Sequence, residues 1–138
     1  MALDLQRAFG SSETASVDGV WVPLDGDARV KVARVGHPQA IKAYRRLPRH
    51  IQIAIERADP ESGQVRDYLV QYMAEHILRD WENLADGLTK EGKDKTLKYS
   101  VENAKLMLRK YRRFRDRIWE IANDEDLFNT EMAEDAKN

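Results

Sequence analysis

The spacing of apolar residues changes character along the chain. In the segment Ala28-Arg29-Val30-Lys31-Val32 apolar and polar residues alternate, with Val30 and Val32 on one side and Arg29 and Lys31 on the other, the period of a half-buried strand. Val20-Trp21-Val22-Pro23-Leu24 is a second strand-like run. Asp25-Gly26-Asp27 between the two is a turn signal, since Gly26 can supply the positive φ of a tight hairpin. Pro23 has no N–H to give to a ladder, which places its strand at an edge. A lone hairpin is marginal in water, so this one is expected to pack on helices.

After Gly36-His37-Pro38 the spacing becomes helical. Pro38 suits a first helical position, and Ala40 to Leu47 gives a short amphipathic stretch ended by Pro48. His50 to Ala58 forms another, with Ile51 and Ile55 four apart, before the break at Asp59-Pro60-Glu61-Ser62-Gly63. From Gln64 to Leu84 the residues Val65, Leu69, Tyr72, Met73, His76, Ile77, Trp81 and Leu84 recur at three- and four-residue steps, which predicts one long helix. Asp86 to Lys98 reads as a loop by composition. Ser100 is a good N-cap, and Glu102 lies favourably in the first turn that follows. From Val101 to Ala122 a broad apolar face contains Met107, Leu108, Tyr111, Phe114 and Ile118. This segment is one helix, or two with a break near Tyr111 to Arg113. The expected architecture is mainly α: a small helical domain over residues 19–128 with an N-terminal β-hairpin packed on it. A mobile arm (1–18), carrying one turn over Leu3 to Phe9, precedes the domain, and a polar tail (129–138) follows it.

Length and composition add limits. A chain of 138 residues suggests one domain. It has no apolar run of about 20 residues, the length that crosses a bilayer, and no signal-peptide pattern. Without cysteine there is neither disulfide nor thiolate metal site. The net charge of −1 announces no global field for nucleic acid. The charge is uneven, however. Lys105, Arg109, Lys110, Arg112, Arg113, Arg115 and Arg117 crowd one segment, and an acidic stretch from Glu120 to Asp135 follows. At about 100° per residue these cations fall opposite the apolar face, with Arg115 alone on its edge. Sorted this way they read as a solvated helix surface. A nucleic-acid-binding accessory or regulatory protein using the Arg-rich helix is the alternative.

No constellation for catalysis emerges. His37, His50 and His76 are scattered, with no two one helical turn apart. Asp80, Glu82 and Asp86 miss calcium-loop spacing, because Leu84 stands where an oxygen ligand is needed. No phosphate loop or nucleophile elbow is present. The expectation is a protein that is not an enzyme and has no cofactor or metal.

The order of several short motifs resembles the tail assembly chaperones of long-tailed bacteriophages. The motifs are the Gly-Val-Trp-Val-Pro-Leu run at 19–24, Val-Ala-Arg-Val-Gly-His-Pro at 32–38, and Ala74 to Leu78 followed by Asp80-Trp81-Glu82-Asn83. Lys98-Tyr99-Ser100-Val101-Glu102-Asn103-Ala104 and the helix over Ile118 to Ala122 complete the set. Val101 stands where that family often has Pro, which leaves the helix start to Ser100. The resemblance implies a protein that binds the tape measure protein while the tail tube polymerises around it. It would act in the host cytoplasm, be absent from the finished virion, associate with itself, and have the tail tube protein as a further candidate partner. Such chaperones are often made in two lengths by a ribosomal slip. Ala136-Lys137-Asn138 can be encoded with a run of adenines, so a slip site is expected there, and the extended form would be another partner. Trp81, Glu82, Asn83, Tyr99, Ser100 and Asn103 are expected to be structural, with Trp81 buried and Glu82 or Asn83 tying the loop to the following helix. Partner binding is expected through exposed apolar residues on and beside the hairpin: Val20, Trp21, Val22, Ile41 and Tyr44.

Overall fold

The computed structural model describes residues 2–10, 13–57 and 62–129. Among them are seven α-helices and five strands in two antiparallel sheets. The expectation of a mainly α domain with a single hairpin is therefore corrected to a mixed α/β fold. The expected hairpin exists: β1 (Val20–Pro23) pairs with β2 (Arg29–Val32), Val20 opposite Val32 and Val22 opposite Val30. A third strand, β3 (Leu78–Glu82), joins the far side of β2, giving the order β1-β2-β3 with Pro23 on an edge strand. Residues 86–98, read as a loop, contain most of a second hairpin, β4 (Ala85–Leu88) and β5 (Asp94–Thr96), whose Gly87 and Gly92 take positive φ. Residues 58–61 and the tail from 130, including the expected slip site, lie outside the described residues.

The predicted helix over Gln64 to Leu84 stops early. Helix α5 spans Gly63–His76, capped by the Ser62 hydroxyl, which accepts from the Val65 N–H at 3.3 Å. Ile77 ends it, and the Ile77 carbonyl accepts from Ala33 N–H at 2.8 Å as the chain turns into β3. The reason that β3 looks helical lies in its pairing. Lys31 faces Asp80 but Val32 faces Leu78, so Arg79 is an extra residue bulged out of the ladder. A bulge shifts the alternation by one. Ile77, Leu78 and Trp81 are all buried, while Asp80 and Glu82 reach the outer face. Inward residues at i, i+1 and i+4 are the spacing of a helix face, and here a kinked strand produces it. Arg79 is held by its own bonds, Nε donating to Val17 O at 3.1 Å and Nη1 to Glu75 O at 3.3 Å.

The core lies between the valine face of the sheet and the helices α5, α6 (Val101–Lys110) and α7 (Arg112–Ala122). Val30, Val32, Met73, Ile77, Leu78, Leu108 and Ile118 are fully buried there. Ser100 caps α6, its hydroxyl accepting from Asn103 N–H at 3.0 Å, and the Asn103 amide donates to Lys98 O at 2.8 Å. The break between α6 and α7 falls at Tyr111, which is extended at φ −117°, ψ 100°. Arg115, the cation on the apolar edge, is 2% exposed and spans that break. Its guanidinium donates to Leu108 O at 3.0 Å, meeting a carbonyl that the interrupted helix leaves free. Before the sheet, α1 (Leu5–Phe9) is capped by Asp4 and has no buried residue. In α2 (Glu13–Asp18), Ala15 packs with Val20 and Phe128, and Ser16 O accepts from Arg34 N–H at 2.9 Å.

Trp81 connects the two sheets. It is 4% exposed, pairs with Val30 across the ladder, and donates its indole N–H to Leu97 O at 2.8 Å just past β5. Tyr99 meets it edge-on at 5.1 Å and donates its hydroxyl to Leu78 O at 2.8 Å. Glu82 and Asn83 reach back to the first hairpin, not forward to α6. Glu82 takes a two-pronged ion pair from Arg29, at 2.7 and 2.9 Å, which holds its carboxyl below the ordinary range. Asn83, at φ 59°, donates its amide to Asp27 O at 3.1 Å. Trp81→Ala is expected to cost about 3–5 kcal/mol, the usual range for a buried Trp. Trp81→Phe, which keeps the ring but orphans the Leu97 carbonyl, should cost about 1–2 kcal/mol. Urea unfolding measures both, and an unchanged midpoint for the alanine variant would contradict this packing.

Candidate functional site

Four helices and one loop converge on an apolar cleft of about 390 Å³. Helix α3 (Pro38–Arg45) supplies Ile41 and Tyr44, and α4 (Arg49–Glu56) supplies Ile55. Val35 borders it from the loop after β2, Trp119 from α7, and Tyr72 of α5 forms the floor, only 3% exposed. Arg45 and Glu56 stand on the rim. The aromatic rings stack edge-on, Tyr44 to Tyr72 at 6.0 Å and Tyr72 to Trp119 at 6.3 Å. The Tyr72 hydroxyl donates to Ala40 O at 3.1 Å. Burial, with Tyr44 adding to it, pushes the Tyr72 phenol up to about 12. The Tyr44 hydroxyl lies 3.2 Å from Gln52 O and 3.1 Å from a Glu56 carboxylate oxygen, so it too is fixed. Preformed clefts of this kind, apolar with a few polar groups at the edge, take apolar ligands or helix faces.

The five residues expected to bind a partner are divided among three places. Val20 and Val22 share the inner face of the sheet, Val20 being buried against Ala15 and Phe128. Trp21 points the other way, half-buried, with the Arg29 guanidinium 4.1 Å from its ring centre and the Lys31 ammonium at 6.0 Å. Those cations cover the ring and leave it a charged rather than an apolar surface. Only Ile41 and Tyr44 come together, in the cleft. The outer face of the sheet, extended by β3, carries Arg29, Lys31, Asp80 and Glu82 around Trp21, so it is a charged face. The sequence pattern did not reveal that Ile55, Tyr72 and Trp119 line the same cleft. The four-residue step from Ile51 to Ile55 was the available signal, with Ile51 buried and Ile55 turned to the cleft.

The basic segment is largely neutralised within the chain. Arg109 pairs with Asp67, Lys110 with Asp86 at 2.8 Å, and Lys105 with Glu75 and Glu102 at 3.7 Å each. Arg112 pairs with Asp116 at 3.7 Å and Arg117 with Glu120 at 3.5 Å. Asp86 also accepts from the Tyr111 hydroxyl, which ties the second hairpin to the helix break. Cations already matched to carboxylates offer little to release counterions from a phosphate backbone.

His37 holds the entrance of α3 behind the cleft. Its Nδ1 accepts from Ala40 N–H at 3.3 Å and its Nε2 lies 3.0 Å from His76 O. The two bonds together require the neutral ring with the proton on Nε2. Burial is the main cause that pushes His37 below its ordinary value, with Arg79 adding to it against the His76 bond. Burial also lowers His76. A proton on His37 Nδ1 would remove the cap. The unfolded chain therefore takes up protons first, and the stabilisation is complete above about pH 6.5 and lost as pH falls below it toward the lower folded value. Melting temperature should drop between pH 7.5 and 5.5. His37→Asn, which can cap but not titrate, should reduce the drop without abolishing it, because His76 remains. Equal drops in the two proteins would exclude His37 as a contributor.

Comparison with known proteins places the chain. No curated protein and no solved structure matches it. The family described as YdaY prophage protein matches residues 35–138, which include the whole helical cleft and the β3 to α7 segment. The chain is thus a phage-associated protein, and it belongs to the YdaY prophage protein family.

Proposed function

We propose that this phage protein is a tail assembly chaperone whose cleft holds an apolar helical stretch of the tape measure protein while the tail tube polymerises. The observation that carries the reading is the aromatic cleft formed by Ile41, Tyr44, Ile55, Tyr72 and Trp119. A tape measure is a long, apolar, helical client that would aggregate if bare, and a groove with aromatic walls takes such a helix by its apolar stripe. Membership of a prophage family and the order of the sequence motifs support the same reading. The charged outer surface would keep a loaded complex dissolved. Many copies along one client would let each contact be weak. The protein would do this work in the host cytoplasm and leave before the virion is complete.

The alternative use, nucleic acid bound on the Arg-rich helices, is less well supported because most of those cations are paired with carboxylates. Co-expression with a tape measure fragment tests the choice. Ile41→Asp should weaken capture of the fragment by roughly tenfold or more, the effect of spoiling a central contact. Reversing Arg112 and Arg113 to Glu should leave capture nearly unchanged, and binding should hold as salt rises. Capture lost on the arginine reversal alone, or lost steeply with salt, would move the site to the basic helices.

A further inference from the structure

We propose that, in the unloaded protein, the cleft of one copy is filled by the α1 helix of a second copy. The inference rests on the reading of the cleft as a seat for an apolar helix, and it names what covers that seat when no client is present. Leu5, Ala8 and Phe9 lie at i, i+3 and i+4 and share one face of α1. Leu3, Leu5 and Phe9 are 68%, 67% and 74% exposed. A five-residue helix is marginal by itself, so a capped one with a bare apolar face needs a surface to lie on. The cleft is the matching surface, open and lined by Val35, Ile41, Tyr44, Ile55 and Trp119 over Tyr72.

No residue of α1 lines the cleft of its own chain. The α1 helix carries one charge of each sign, Asp4 at its cap and Arg7 within it, as the rim does in Arg45 and Glu56. The contact pairs two different surfaces, so each copy offers one and receives one. Two copies can therefore exchange helices reciprocally as a closed pair, or pass them on from copy to copy in a chain or ring. A client helix would compete with α1 for the same seat, so loading would dissolve the self-assembled form.

Sedimentation velocity of the full chain alone, across a micromolar concentration series, tests this. The wild type should associate. The Leu5→Asp/Phe9→Asp double variant and the Ile41→Asp variant should each associate at least roughly tenfold more weakly. Mixing the two variants should restore a single one-to-one pair and nothing larger, since one retains an intact cleft and the other an intact helix. A peptide of residues 2–10 should shift the Tyr44 and Trp119 signals in the NMR spectrum of the double variant, which also shows that this protein is folded. A wild type that stays monomeric, an association indifferent to Leu5 and Phe9, or variants that fail to complement would each overturn the proposal. None of these measurements contains a client. The Leu5→Asp/Phe9→Asp variant should capture a tape measure fragment at least as well as the wild type. If neither the wild type nor this variant captures the fragment while the wild type still self-associates, the result counts against the client reading and leaves this inference standing.

Discussion

The ladder between β2 and β3 is the contact on which the rest of this fold depends. It joins the first hairpin to the helical part of the chain across about fifty residues of sequence, and it does so with a bulge at Arg79. The bulge turns Leu78 and Trp81 to the same interior while sending Asp80 and Glu82 outward. Trp81 then reaches Leu97, and Tyr99 reaches back to Leu78. One irregular strand thus fixes the position of the second hairpin and the point where α6 begins. Without that ladder, α5 would have no sheet to lie on and the valine face of the hairpin would meet water.

Much of this was legible in the sequence, and the failures have a common cause. The first hairpin, the capping role of Ser100, and the option of a break near Tyr111 that divides α6 from α7 follow from local chemistry that acts within a few residues. The misreading of residues 78–82 as helix came from periodicity alone. A bulged strand and a helix can present the same inward spacing, and only the partner strand distinguishes them. The second hairpin was hidden because its residues are polar and exposed, so no apolar pattern marks it. Arg115 was noticed as out of place. Its purpose, to bond Leu108 O across a helix break, requires knowing that the break exists.

The cleft was half legible. Ile41 and Tyr44 announce an apolar helix face, but Val35, Ile55, Tyr72 and Trp119 come from four other elements. No sequence pattern within one element reports a convergence of five. The hairpin residues misled for the opposite reason. Val20, Trp21 and Val22 are adjacent in sequence, and strand geometry separates Trp21 from its neighbours by the thickness of the sheet. The basic segment, read as a solvated helix surface, finds carboxylate partners both beside it and far away, at Asp67, Glu75 and Asp86.

The edges of the three-stranded sheet have a consequence for how copies of the chain meet one another. The outer strand β1 is four residues long and ends in Pro23, which has no N–H to donate. On the opposite edge, the Leu78 carbonyl is already engaged by Tyr99, and Arg79 is bulged out of line. A neighbouring chain therefore finds little straight, unsatisfied backbone on which to continue the sheet, the route by which crowded β proteins grow into fibrils. Copies that meet at high concentration are left to recognise each other through side chains, and contacts of that kind can be undone.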